Sequence, residues 1–148
     1  MAVLGELMSR NLLAVAPEDT LGEAAERMTD EGVGSAVVLD GGRLIGILTE
    51  RDVLRAVAGR VHSSDARVRD WMTEDPVVAG EETTAAESLE TMMMHGFRHL
   101  PIVEDGRAIG IISMRDLLEL SSKVLRHQGD AAARELLEAV DVGDPHHV

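Results

Sequence analysis

The sequence predicts a mixed α/β (α+β) fold built from two tandem copies of one unit, and three observations lead there. Gly42, Arg43 and Gly46 recur as Gly106, Arg107 and Gly110, an offset of 64 residues that also relates Met8 to Met72, Thr20 to Thr84, Glu23 to Glu87, Met28 to Met92 and Gly32 to Gly96. So many matches in one frame mark an internal repeat. Within each copy, apolar residues at helical spacing give way to short apolar runs of strand length. Clusters of glycine and aspartate separate those runs at the places where hairpins need turns.

The elements follow in chain order. A short approach, Leu4 to Met8, is mirrored by Val68 to Met72. The entrance segments Leu12-Leu13-Ala14-Val15-Ala16-Pro17 and Pro76-Val77-Val78-Ala79-Gly80 read as edge strands against the core. Thr20 with Glu23, and Thr84 with Glu87, have the spacing of a capping box, in which hydroxyl and carboxylate each satisfy an amide at a helix start. Leu21, Ala24, Ala25 and Met28 then form an apolar stripe, matched less perfectly by Ala85, Ser88, Leu89 and Met92. Both helices end near a glycine, Gly32 or Gly96, where a left-handed backbone costs little.

Strands at Ala36–Leu39 and Leu100–Val103 come next, each joined through Asp40-Gly41-Gly42 or Glu104-Asp105-Gly106 to a second strand at Leu44–Leu48 or Ala108–Ile112. Pro101, which has no amide hydrogen, is expected at a strand edge or start. A further helix opens at Thr49 or Ser113, with Asp52 or Asp116 three residues on as its capping partner. The expected organisation is repeat one at 4–58, a polar linker at 59–67, repeat two at 68–120, a C-terminal helical extension at 121–142 and a frayed tail at 143–148.

At 148 residues the chain has room for one compact module, and two halves of about 60 residues would each be marginal alone, so the copies are expected to pack together. An apolar content of 45% fits a soluble globular protein, while 1% aromatic residues requires an aliphatic core. Fourteen basic against 27 acidic residues leave a net charge of −13, which argues against nucleic acid and an anionic membrane surface as partners. No cysteine is present, so disulfides, thiol nucleophiles and thiolate metal sites are excluded. No apolar run approaches the length of a membrane span, and the start lacks the charged-then-apolar pattern of an export signal. A cytoplasmic location is the expectation.

The doubled stretch Gly46-Ile47-Leu48-Thr49-Glu50-Arg51-Asp52 and Gly110-Ile111-Ile112-Ser113-Met114-Arg115-Asp116, in register with the preceding helix and hairpin, resembles a tandem pair of CBS domains, often called a Bateman module. The resemblance spans about residues 4–120. It implies two β-α-β-β-α units packed with pseudo-twofold symmetry around two clefts, and regulatory binding of AMP, ADP, ATP or S-adenosylmethionine. Thr49 and Ser113 then match a hydroxyl that contacts phosphate, and Asp52 and Asp116 a carboxylate that accepts ribose hydroxyls. The segments containing Val15, Val78 and Ala79 match the region that holds adenine by backbone and small apolar groups. Capping alone and capping with ligand contact are both compatible with the sequence at these positions.

The copies differ where charge matters. His95, Arg98 and His99 flank Gly96 in the second copy, where the first has Glu31, Gly34 and Ser35. A phosphate would gain from Arg98, which stays charged at neutral pH, and from His99. One better phosphate site and one weaker or adenosine-like site are therefore expected, with Arg51 and Arg115 as secondary candidates and His95 read as a surface residue. With Phe97 and Trp71 as the sole aromatics, recognition of a base rests on backbone hydrogen bonds and aliphatic contact, and Trp71 is read as a packing residue.

Enzymatic activity is not expected: no G-x-S-x-G or P-loop pattern is present, and His146-His147 lacks a third metal ligand at useful spacing. Magnesium is expected only alongside ATP, with no obligatory cofactor. The resemblance implies a homodimer, with signalling through that assembly or through a separate effector protein. The competing reading is a ligand-free structural or protein-interaction module with the same repeat.

Overall fold

The computed structural model describes residues 2–128. In chain order the elements are α1 (Leu4–Leu7), β1 (Ala14–Val15), α2 (Leu21–Glu31), β2 (Ser35–Asp40), β3 (Arg43–Thr49), α3 (Glu50–Ala58), α4 (Val68–Trp71), β4 (Thr73–Glu74), α5 (Ala85–His95), β5 (His99–Glu104), β6 (Arg107–Ser113) and α6 (Met114–Gln128). The chain forms two compact units, 1–112 and 113–148, divided at the end of β6.

The caps explain where the helices begin and end. Thr20 accepts the amide of Glu23 at 3.1 Å while Glu23 accepts the amide of Thr20 at 3.3 Å, and Thr84 with Glu87 repeats both distances. Gly32 and Gly96 close α2 and α5 with φ of 66° and 75°, the left-handed conformation that glycine adopts without a Cβ penalty. The hairpins turn on two residues each. Gly41 and Gly42, then Asp105 and Gly106, all have positive φ, as the turn that matches strand twist requires.

In the first unit, β1 runs parallel to β2, β2 antiparallel to β3, and β3 antiparallel to β4. β5 and β6 form a separate pair, and Ala79 bridges in parallel to Ile102 of β5. Pro101 lies third in β5, near its start, and is fully buried. The main core is aliphatic: Leu13, Val15, Leu21, Ala24, Met28, Val38, Leu48 and Val68 belong to it.

Val68 in that list belongs to the approach of the second copy, and it reveals how the copies interlock. Val68 N donates to Asp19 O at 2.9 Å, Arg69 N to Pro17 O at 3.0 Å, and Leu21 N to Ala66 O at 2.9 Å. Each bond has a counterpart 64 residues away: Leu4 N to Thr83 O at 2.8 Å, Gly5 N to Glu81 O at 3.0 Å, and Ala85 N to Ala2 O at 3.0 Å. Leu21 and Ala85 are the first residues of α2 and α5, whose amides have no partner inside the helix. The approach of each copy therefore satisfies the helix start of the other. The exchange continues along the strands, since Thr73 pairs with Ile47 and Ser9 with Ile111. Ion pairs Arg69–Glu18 and Arg10–Glu81 lie along the same seams.

In the second unit, α6 runs from Met114 to Gln128 without a break at 120, so the proposed start of the extension lies inside a continuous helix. The rest of the extension and the tail, 129–148, lie outside the described residues.

Candidate functional site

The first unit carries a cleft of about 830 Å³ with three walls. The first wall is the end of β3 and the start of α3, with Ile47, Thr49, Glu50, Arg51, Asp52, Leu54 and Arg55. The second is the entrance segment of the second copy, with Thr73, Asp75, Pro76 and Val77, and the third is the loop from α5 into β5, His95 to His99.

Thr49 is the N-cap of α3 and Asp52 its third residue, and together they close a capping box. Asp52 is 3% exposed. Its Oδ2 accepts the Thr49 amide at 2.9 Å and the Thr49 hydroxyl at 3.1 Å, its amide donates to Thr49 Oγ1 at 3.4 Å, and Arg55 donates to its Oδ1 at 3.4 Å. The capping function is thus fully formed. A ligand phosphate would receive the Thr49 hydrogen only after the hydroxyl rotates away from Asp52, whereas Oδ1 keeps acceptor capacity beside Arg55.

Opposite this cap stand Arg98 and His99 from the second copy. Arg98 is exposed and His99 half-buried. His95 bonds through Nδ1 to Thr91 O at 2.9 Å and lies against Phe97, ring centroids 5.5 Å apart and tilted by 36°. Three arginines and two histidines line the cleft against Glu50, Asp52 and Asp75. In a chain with nearly twice as many acidic as basic residues, that parity makes the cleft a local exception to the acidic surface.

The other sequence-derived candidates lie elsewhere. Val15 is 3% exposed and packs in the core with Leu13 and Val38, so its side chain is taken up by packing. Val78 is exposed and Ala79 is engaged in the bridge to Ile102, while Pro76 and Val77 of the same segment face the cleft. Ser113, Arg115 and Asp116 belong to the second unit. There Asp116 N donates to Ser113 Oγ at 3.0 Å, Ser113 N to Asp116 Oδ2 at 3.4 Å, and Arg115 pairs with Glu119 at 3.2 Å. Unlike Asp52, Asp116 is exposed. Glu50 and Asp75, which also line the cleft, went unnoticed in the sequence, and the only signal for Glu50 was its place beside the N-cap.

Two copies of the same cap, hairpin and helix, with a cleft where one cap faces the other copy's loop, fit one family. A model of the CBS domain matches residues 4–59 and again 68–123. The chain is a CBS-domain protein. This CBS pair is 38% identical over 116 residues to an uncharacterised 17.7 kDa protein of Acidianus ambivalens, covering 77% of this chain and 70% of that one. It is 33% identical over 134 residues to the uncharacterised protein MJ1225 of Methanocaldococcus jannaschii, covering 88% of this chain but only 48% of that longer one. Among solved structures, the CBS pair of protein MJ0100, in complex with 5′-methylthioadenosine and S-adenosyl-L-methionine, has the same fold with a TM-score of 0.78 and 21% identity, over 83% of this chain and 98% of that one. No helix among the described residues is long and apolar enough to cross a membrane.

Proposed function

We propose that this CBS pair is a regulatory module that binds an adenine nucleotide or S-adenosyl compound in the Thr49–Asp52 cleft and signals occupancy through a homodimer or a separate effector protein in the cytoplasm. The observation that carries the reading is the meeting of Thr49 and Asp52 from the first copy with Arg98 and His99 from the second around one cavity. A buried carboxylate accepts sugar hydroxyls, guanidinium groups meet phosphate, and Ile47, Pro76, Val77 and Phe97 give a purine apolar contact. The adenosyl ligands bound by the MJ0100 pair, which shares the fold, support the same ligand class. Ser113, Arg115 and Asp116, the counterparts of Thr49, Arg51 and Asp52, would serve a second, weaker site.

The reading involves no catalysis. Magnesium enters only by bridging the phosphates of ATP. Occupancy becomes a signal only when the ligand favours one of two conformations or assemblies of the module. A ligand-free interaction module is favoured by one specific observation: both carboxylate oxygens of Asp52 are already engaged within α3 and its cap.

Isothermal calorimetry against AMP, ADP, ATP and S-adenosylmethionine, with and without Mg²⁺, separates the two. The expected result is saturable binding of at least one ligand, weakened by about tenfold or more in Asp52→Asn through loss of charge-assisted hydrogen bonds. No binding across the panel at millimolar ligand would establish the ligand-free module instead.

A further inference from the structure

We infer that Glu50 sets the charge of the ligand this cleft accepts, disfavouring a bare polyphosphate and admitting an adenosine ligand whose 5′ group carries one phosphate, a cation-bridged phosphate chain or a positive charge. The inference rests on the adenosine reading above. Glu50 is the first residue of α3, directly after the N-cap Thr49, and it lines the cleft. A helix start of this kind favours an incoming anion. Here a carboxylate of the protein already stands there, and a second anion close by is repelled by it.

The position of that carboxylate is built in. Glu50 N donates to Gly34 O at 3.0 Å, and Glu50 Oε1 occupies the space that a Cβ on residue 34 would need. His99 Nε2 is 3.5 Å from the same point, so the carboxylate is held toward the Arg98–His99 side of the cleft. Gly34 has an ordinary backbone conformation, which leaves room for Glu50 as what its missing side chain provides. Glu50 and Gly34 have Met114 and Arg98 as their counterparts 64 residues on, so the acid and the glycine that accommodates it belong to the first copy alone.

The cations nearby fix how much phosphate is tolerated. Arg55 is committed to Asp52, which leaves Arg51 and Arg98 to neutralise a ligand. Those two match a single phosphate dianion. Further phosphates add negative charge beyond what those two arginines match, and Glu50 repels it unless a divalent cation bridges the phosphates to the carboxylate.

The test is calorimetry of AMP and ATP in chelator and in excess Mg²⁺, on the full chain carrying Asp116→Asn so that the first cleft dominates. The unchanged cleft is expected to bind AMP more tightly than Mg²⁺-free ATP, with Mg²⁺ narrowing the gap. Glu50→Gln is expected to raise ATP affinity relative to AMP by about fivefold in chelator, and Glu50→Lys to raise it further. Both substitutions lie on an exposed side chain, and a thermal melt confirms that the fold is kept. Retained binding with an unchanged ATP-to-AMP ratio in both variants would overturn the role of Glu50 while leaving the adenosine reading standing. Binding of neither nucleotide nor S-adenosylmethionine would overturn both.

Discussion

Met72 lies across Gly46: a Cβ built on the glycine would stand 2.6 Å from Met72 Sδ and 3.0 Å from Thr73 O. Met8 covers Gly110 in the same way. Neither glycine has a positive φ, so their conservation between the copies reflects close approach of a neighbouring chain segment. Met8 and Met72 recur at the same offset because each seals the other copy's strand.

Gly46→Ala is therefore expected to destabilise the protein by about 1–3 kcal/mol, an overpacking cost in a closely packed strand. Urea unfolding measures it. Met72→Ala in the same chain should recover part of the loss by freeing the space of the thioether, while the fixed Thr73 carbonyl keeps recovery incomplete. Stability equal to that of the parent would show that the sheet opens at no cost.

The exchanged approaches make a prediction about where damage appears. Leu4 is fully buried at the N-terminal end of the chain, yet its amide is bonded to Thr83 at the start of α5. Leu4→Ala should cost about 2–5 kcal/mol, as large-to-small changes at buried sites do. Hydrogen exchange should show the lost protection first around Ala85, in the second copy, with α2 affected less. Val68→Ala should do the reverse, loosening Leu21 and α2. Loss confined to the copy in which each mutation sits would contradict the interlock.

Much of this architecture was legible because it depends on local chemistry. The capping boxes at Thr20 and Thr84, the left-handed glycines at 32 and 96 and the presence of both hairpin turns follow from the conformations those side chains permit, and each is in place, the turns one residue shorter than expected because Asp40 and Glu104 belong to the strands. The exchange of approaches was not legible, since a repeat looks the same whether each segment docks on its own copy or on the other. For that reason the repeat pointed to a site between the copies and named Thr49 and Arg98, but did not say which side chains of the two copies share one cavity. Val15 shows the same ambiguity: a short apolar entrance segment can fill the core and still offer its backbone to a ligand, and here its side chain is in the core.

Asp52 and Asp116 occupy equivalent positions in sequence but different environments. Asp52 is buried and ion-paired with Arg55, whereas Asp116 is exposed and bonds within its own cap. Asp52→Ala should cost about 1–3 kcal/mol, because it leaves the Thr49 hydroxyl and amide without their acceptor inside the protein. Asp116→Ala should cost about 0.5–1 kcal/mol, since water replaces an exposed cap contact. Thermal or urea unfolding of the two variants gives the comparison, and equal losses would contradict the environmental difference.

The proposed homodimer is tested on the apolar residues left in solvent. Leu54 and Val57 share one face of α3 with 68% and 64% exposure, and Met93 and Met94 stand out from α5 at 68% and 76%. Side chains of that size at that exposure are costly on a lone chain and ordinary in an interface. The net charge of −13 on each chain opposes association, so the dimer should tighten as salt screens the repulsion. Light scattering is expected to give a dimer mass for the parent chain and a monomer mass for Val57→Lys with Met94→Lys, each folded by its melting curve. A parent chain that is monomeric at every salt concentration would leave the module to signal through a separate effector, and a dimer indifferent to both substitutions would place its interface on another face.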